Sequence, residues 1–522
     1  MPTPGTDLRA TLQMLARSEE LTEVTGEVHW DRELGALTRE MLSRNGDALL
    51  YTNITGYNSP DSRCRQLTTS LLASRRRLSL CLGFDDEVDN ERLVKHVMAT
   101  MTERVPAVTV DDGPVHENVL TGSDVDLTDF PAPRWHHLDG GRYINTYAAV
   151  VTKDPDTKAV NVGVYRGMIG GPDRIPVLMV PSQHWGRHWA KHKASGQPMP
   201  VACVYGWHPV MDIVAGSPVP EGVSEYEVMG ALLGEPVPLV KCRTVDLEVP
   251  ASAEIVVEGY VDPDESTYQM EGPFGEFTGY VSDVPTPRPV IQVTSVSHRD
   301  DPIFRGTLEG SLPGASGENS HVSAVLRAAI AWDTLNTAGV PGILDVHIHP
   351  VTNGTTIVVQ IRKNSEGHAK WVASALWSTG AALFRYKTVI VVDDDIDPSD
   401  YSAIDWALAY RVRAGTDDVT VFPGTFGSPI DPSTPLEERS IADLGTGLWN
   451  RVVIDATKTW RYQPRAEWGG AKFPPTVAPA PQDRDQVLRR WSEYGFVRAR
   501  RDGAQSESQR GDEPAVPTER GR

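Results

Sequence analysis

Two glutamates stand five residues apart in EGPFGEFTGY, Glu271 to Tyr280, around a Gly-Pro-Phe-Gly turn. Ionised carboxylates are costly to hold against a rigid, partly apolar turn. The arrangement suits a pair in which one acid stays protonated near neutral pH and hands its proton over; a solvated loop that happens to carry two acids is the plain alternative. A second grouping, HWGRHWAKH, places His184, His188 and His192 at successive i, i+4 spacing. On a helix these share one face and resemble a transition-metal site. Each helical turn rises about 5.4 Å, however, so at most two of the three can reach one ion. No HExxH occurs, which leaves a zinc protease unsupported.

Other groupings are plainer. NVGVYRGMIGG, from Asn161, follows a strand pattern and offers an amide, a tyrosine, an arginine and glycines that let a ligand approach the backbone. It is neither a Walker sequence nor a GxGxxG. His347 and His349 sit in an alternating strand, point to one face and read as structural. DDDID, Asp393 to Asp397, lacks the spacing of a calcium-binding hand and reads as a solvated turn ending a strand.

The elements that must position these residues fall into three regions. TDLRATLQMLARSEEL and DNERLVKHVMATMTERV have helical apolar spacing, and GDALLYTNI reads as a buried strand. From Tyr143 to His298 the pattern is mostly β, interrupted by SEYEVMGALLGE, a helix opened by a serine N-cap with a glutamate three residues on. HVSAVLRAAIAWDTLNTAG is a linker helix ending at Gly339; after it strands and helices alternate, as in an α/β domain. The expected division is an N-terminal α/β region (1–120), a β-rich domain (121–318), a linker helix (319–340), a C-terminal α/β domain (341–496) and a disordered tail (497–522).

At 522 residues the chain exceeds what one core supports. A net charge of -20 argues against nucleic acid or an anionic membrane as partner, and means that an anionic ligand needs locally concentrated positive charge. Four scattered cysteines suit a reducing compartment. With neither a secretory signal pattern nor an apolar run of about 20 residues, a cytoplasmic location is expected.

Read in order, NVGVYRGMI, SQHWG, SEYEVMGALLGE, LEVPASAEIVVEGY and EGPFGEFTGY resemble the UbiD family of prenylated-FMN-dependent decarboxylases, and the resemblance runs through VVDDDIDPSDYSAIDWALAYR to VVIDATKTW. It implies an α+β multidomain fold: a central split β-barrel that binds flavin, flanked by an N-terminal α/β region and by a C-terminal α/β domain beyond a linker helix. It implies a catalytic trio of Arg166, Glu271 and Glu276, in which Arg166 meets the substrate carboxylate, Glu276 donates the proton, and Glu271 pairs with Arg166. Asn161, His184 and Glu225 fall on the positions that hold Mn(II). Val164, Tyr165, Arg166, Gln183, Trp185 and Gly186 fall on flavin contacts, Lys387 on a phosphate contact, and Ser217 beside a potassium ion.

The implied activity is reversible, non-oxidative decarboxylation of an aromatic, heteroaromatic or α,β-unsaturated acid, with prenylated FMN as covalent electron sink. A flavin prenyltransferase would supply the cofactor, and the family assembles as homodimers or homohexamers. VPSQH and a glutamate, not an aspartate, at position 276 point to the phenylacrylate and heteroaromatic-acid branch rather than to quinone biosynthesis. Specificity is expected in 425–448. Two alternatives compete: a flavin-binding, non-catalytic subunit of a carboxylase complex, and a flavin-free metal hydrolase built on HWGRHWAKH.

Overall fold

A computed structural model describes residues 7–496 except 218, 220, 221, 283, 383, 416 and 441–445. The expected tail, 497–522, lies outside the described residues, as does part of the expected specificity region.

The chain is mixed α and β in three regions. The first holds the helices Leu8–Arg17, Glu33–Ser43 and Asn90–Met101 and the strands Leu21–Val24, Ala48–Tyr51 and Gln66–Thr69. Asp7 and Asp89 cap two of these helices through their side chains, satisfying first-turn amides that have no partner inside the helix. A fourth strand completes this sheet from far along the chain: Ile303–Arg305 pairs parallel with Gln66–Thr68. The N-terminal region and the end of the β-rich region therefore fold as one body.

The β-rich region is built on seven strands. In spatial order they are Arg174–Pro176, Val290–His298, Ile255–Val261, Met199–Tyr205, Ala149–Lys153 and Val160–Val164, with Asn118–Thr121 also paired to Val290–His298. Every pairing is antiparallel, and the order traces a path among the described residues. Alternate residues of the central strands supply two separate cores. Ala202 and Val204 face one with Val256, while Val201 and Cys203 face the other with Val257 and Trp185.

The helix Glu318–Thr337 leads into the third region and buries Val322, Leu326, Ala329 and Leu335. There the strands Ile343–Ile348, Thr356–Ile361, Thr388–Asp393, Thr446–Ala456 and Val419–Gly427 form a mixed sheet, with the helices His368–Trp377 and Tyr401–Arg411 between strands. His347 and His349 both contact Tyr401, the former by a 3.2 Å hydrogen bond and the latter by stacking at 3.5 Å, in keeping with a structural role. DDDID ends the strand Thr388–Asp393 in a turn with Asp394 and Asp395 exposed, as expected of it. Asp393 is buried, and Arg411 bonds Asp393 and Asp395 at 3.3 and 2.8 Å, so the run ties strand to helix.

No helix among the described residues is long and apolar enough to cross a membrane.

Candidate active site

EGPFGEFTGY folds as two short antiparallel ladders: Gln269–Glu271 against Thr286–Arg288, and Phe274–Gly275 against Val281–Ser282. The Gly272–Pro273 peptide is cis. The turn is fixed from behind by Asp139, whose carboxylate accepts from the amides of Gly275 (3.0 Å) and His136 (2.8 Å). Gly140 packs so tightly that an added Cβ would lie 2.0 Å from the Gly272 carbonyl oxygen.

This brace brings both glutamates onto one guanidinium. Arg166 Nη2 donates to Glu271 Oε2 at 2.8 Å, while Nη1 donates to Glu276 Oε1 and, at 2.9 Å, to Ser282 Oγ. All three charged groups are buried. Burial works against the Arg166 charge, but the two carboxylates outweigh it and hold the guanidinium protonated above its ordinary range. The Phe274 ring lies 5.3 Å from the guanidinium carbon. The trio read from the sequence is thus gathered into one cluster.

Two members of the cluster were not anticipated. Tyr143 Oη donates to Glu271 Oε1 at 2.8 Å, and Ser282 Oγ lies 3.2 Å from Glu276 Oε1. Tyr143 reaches the site because Tyr143–Asn145 pairs with Gly167–Met168, directly after Arg166. Burial and the Glu271 charge push its phenol well above the ordinary value, so it remains a donor. The one sequence signal for it was an aromatic with a polar tip at the head of a strand-like run, YINTYAAVV.

The expected metal and flavin residues assemble beside this cluster. Asn161 and Val164 belong to Val160–Val164, His184 opens the helix His184–Ser195, and Glu225 opens Glu225–Leu233. Asn161, His184 and Glu225 line one cavity of about 420 Å³, together with Asp154, Arg187 and His188. The serine cap expected for the last helix does not form: Ser224 makes no side-chain cap bond, and Glu225 instead turns back to accept from the Val162 amide at 3.1 Å. That bond draws the helix start onto the strand carrying Asn161. Of the three histidines, His188 is held by Thr152 at 3.0 Å, and His192 is not among the cavity-lining residues.

Amide, imidazole and carboxylate together suit a hard to borderline divalent cation such as manganese. No group of three His, Cys, Asp or Glu side chains among the described residues could hold a metal, so Asn161 is needed to complete a set. Burial pushes Glu225 up to about 8, and its hydrogen-bond donors are backbone amides; a cation on this carboxyl would offset the cost of its charge. The residues fit the ion.

Tyr165 and Trp185 stack at 4.2 Å with planes 4° apart, and Gln183 accepts from Trp185 Nε1 at 3.3 Å. Gly186 allows the helix to seat here, since a Cβ would lie 2.1 Å from the Val180 carbonyl oxygen. Lys387 lies in the C-terminal region, directly before the strand Thr388–Asp393. Its Nζ bonds Asp431 at 2.9 Å and also Ser433, in the C-terminal region. Ser217 donates to the Ile213 carbonyl at 3.0 Å.

Comparison with known proteins places this geometry. Residues 12–100, 107–312 and 320–456 match the N-terminal, Rift-related and C-terminal domains of 3-octaprenyl-4-hydroxybenzoate carboxy-lyase. The chain is 32% identical over 502 residues to pyrrole-2-carboxylic acid decarboxylase of Pseudomonas aeruginosa, covering 94% of this chain and 98% of that one. It superposes with a TM-score of 0.78 on the UbiD-class enzyme HmfF of Pelotomaculum thermopropionicum in complex with FMN (31% identity, 91% and 98% of the two chains). An evolved dimeric form of HmfF in complex with prenylated FMN gives a TM-score of 0.76, with 29% identity and 92% and 98% coverage. This chain belongs to the UbiD family of carboxy-lyases.

Proposed function

We propose that the protein is a reversible, non-oxidative decarboxylase of an aromatic, heteroaromatic or α,β-unsaturated carboxylic acid, with prenylated FMN as covalent electron sink and Glu276 as proton donor. The observation that carries this reading is the buried bridge of Arg166 between Glu271 and Glu276, one residue beyond the Tyr165–Trp185 stack. The heteroaromatic relative favours an acid of that class.

Loss of CO2 from an sp2 carbon leaves an electron pair that no side chain of the site can hold. When bound, the prenylated flavin supplies the place for it. The protein's own part is positional and protic. Arg166 orients the substrate carboxylate so that the bond to the ring carbon is the one that breaks. Glu271, fixed by Tyr143 on one oxygen and Arg166 on the other, keeps that guanidinium in place. Glu276 delivers a proton from its carboxyl oxygen to the carbon that lost CO2, and in the reverse direction takes it back.

Asn161, His184 and Glu225 would hold Mn(II), which would supply positive charge for the flavin phosphate, with K(+) near Ser217. Lys387, which pairs with Asp431, would add positive charge for the phosphate. We read the seven-stranded sheet as the split barrel around the flavin, the C-terminal region as the surface for a homodimer or homohexamer, and the location as cytoplasmic. The test is co-expression with a flavin prenyltransferase, an absorbance spectrum, and a screen of heteroaromatic and cinnamic-type acids for CO2 release. A flavin-loaded protein that releases CO2 from none of them would sink the proposal.

A further inference from the structure

The chain carries a net charge of -20, yet by this reading its substrate is an anion. Approach of such a substrate is opposed unless positive charge is concentrated near the entrance. Arg166 does not supply it from a distance, because Glu271 and Glu276 surround its charge.

Two arginines elsewhere have no carboxylate partner among the described residues. Arg327 belongs to the linker helix, and Arg385 to the segment before Thr388–Asp393. Their side chains run together past Gly354, where an added Cβ would lie 3.0 Å from Arg385 Cδ and 3.4 Å from Arg327 Cδ. Among the described residues the Arg327 guanidinium has no hydrogen-bond acceptor, neither arginine has a carboxylate partner, and Arg385 donates to the Phe384 carbonyl at 2.8 Å. Both are partly buried. Burial pushes both below the ordinary arginine value, and for Arg385 the Arg327 charge adds to the effect. Two like charges held side by side without an acid is an arrangement that an anion relieves.

The pair also borders the catalytic turn. The Arg385 guanidinium carbon stands 4.9 Å from the ring centre of Phe277, the residue after Glu276. Tyr386 Oη donates to the Arg327 carbonyl at 3.0 Å and ties the segment to the linker helix. Phe277 backs the Arg385 guanidinium, and the two planar guanidiniums together match the carboxylate of a flat anion.

We propose that Arg327 and Arg385 form a docking site for the carboxylate of an aromatic acid, next to but separate from Arg166. The inference rests on the decarboxylase reading for its biological meaning, while the site itself is tested by binding alone. The carboxylate could be the reacting group of a monoacid held before it reaches Arg166, or the second carboxylate of a diacid whose first lies on Arg166.

The test is calorimetric titration of the flavin-loaded protein with benzoate and with isophthalate, at low and at high salt. It compares the wild type, Arg166→Met, the double variant Arg327→Gln/Arg385→Gln and the charge-keeping double variant Arg327→Lys/Arg385→Lys. Benzoate binding should survive in Arg166→Met, weaken about tenfold in the glutamine pair at low salt, return within a few-fold in the lysine pair, and decline with salt in the wild type. Isophthalate that binds tighter than benzoate in the wild type but not in Arg166→Met assigns the site to a second carboxylate; equal binding of the two assigns it to the docking of a monoacid. Unchanged benzoate affinity in the glutamine pair, or loss of all binding in Arg166→Met, overturns the proposal. Intact binding in a protein that releases no CO2 from any acid would instead sink the decarboxylase reading and leave the anion site standing.

Discussion

Tyr143 Oη stands 2.8 Å from Glu271 Oε1, on the side of the carboxylate opposite Arg166. The two glutamates on the same arginine are thereby made unequal. Glu271 accepts a phenol and a guanidinium on separate oxygens, whereas Glu276 gathers Arg166 and Ser282 on its Oε1. A hydrogen bond to a charged group is worth roughly 1.5–3 kcal/mol. Tyr143→Phe should therefore lower kcat about 10- to 100-fold with flavin content unchanged. Steady-state CO2 release beside the flavin spectrum checks this, and wild-type kcat would remove Tyr143 from the machinery.

Glu276→Gln keeps the hydrogen-bonding shape at Arg166 but has no proton to give. Loss of a general acid typically costs about 10²- to 10⁴-fold. Decarboxylation and H/D exchange at the product carbon should both fall in that range while the flavin stays bound. Exchange at the wild-type rate would mean that the proton comes from elsewhere.

Glu225→Ala and His184→Ala each remove one wall of the cavity they share with Asn161. Both variants should purify with little manganese and little flavin, as measured by elemental analysis and absorbance. Dialysis of the wild type against a chelator should release flavin along with the ion. Full flavin content after either treatment would dismiss the metal bridge.

Burial holds His208 neutral, at about 4, with only a weak opposing pull from Asp7, and its Nδ1 accepts from the Val210 amide at 3.1 Å. The unfolded histidine titrates near 6.5, so between about 6.5 and 4 the unfolded chain binds the extra proton. Stability from this group is complete above about 6.5 and is lost as pH falls toward 4, on the order of 3 kcal/mol in all. Asp212 and Asp345, both pushed up to about 7 by burial, act in the opposite sense over the same range, so only a difference isolates the histidine. His208→Asn should flatten the fall of Tm between pH 6.5 and 4 relative to the wild type. Parallel curves would show that His208 is not the titrating group.

Much of this site could be read before folding. Glu271 and Glu276 lie in one short segment, and Asn161 and Arg166 in another, so the chemistry was local in sequence. The helix pattern of HWGRHWAKH likewise limited to two the histidines that could share an ion. Tyr143 and Ser282 were hidden because only strand pairing brings them in, and neither residue type announces an active site. The failed cap at Ser224 has the same cause: Val162 lies 62 positions before it and captures Glu225 by a tertiary contact that outweighs the local capping pattern. Lys387 was placed by resemblance, but its partner Asp431 is set by the packing of the third sheet.

The support behind the turn gives the last prediction. Gly140 donates its amide to the Pro273 carbonyl at 2.8 Å, and a Cβ there would collide with the Gly272 carbonyl oxygen at 2.0 Å. Both contacts involve backbone, which has no rotamer with which to give way. Gly140→Ala must displace the turn that sets the separation of Glu271 and Glu276. A shift of about 1 Å at a reacting group can cost roughly 10²-fold in rate. The cavity lined by Asn161, His184 and Glu225 rests on other elements, so the variant should retain its flavin while CO2 release drops by about that factor. Combined loss of flavin and activity would show that the turn and the cofactor cavity fold as one unit. Full activity would mean that the distance between the two carboxylates does not govern the reaction.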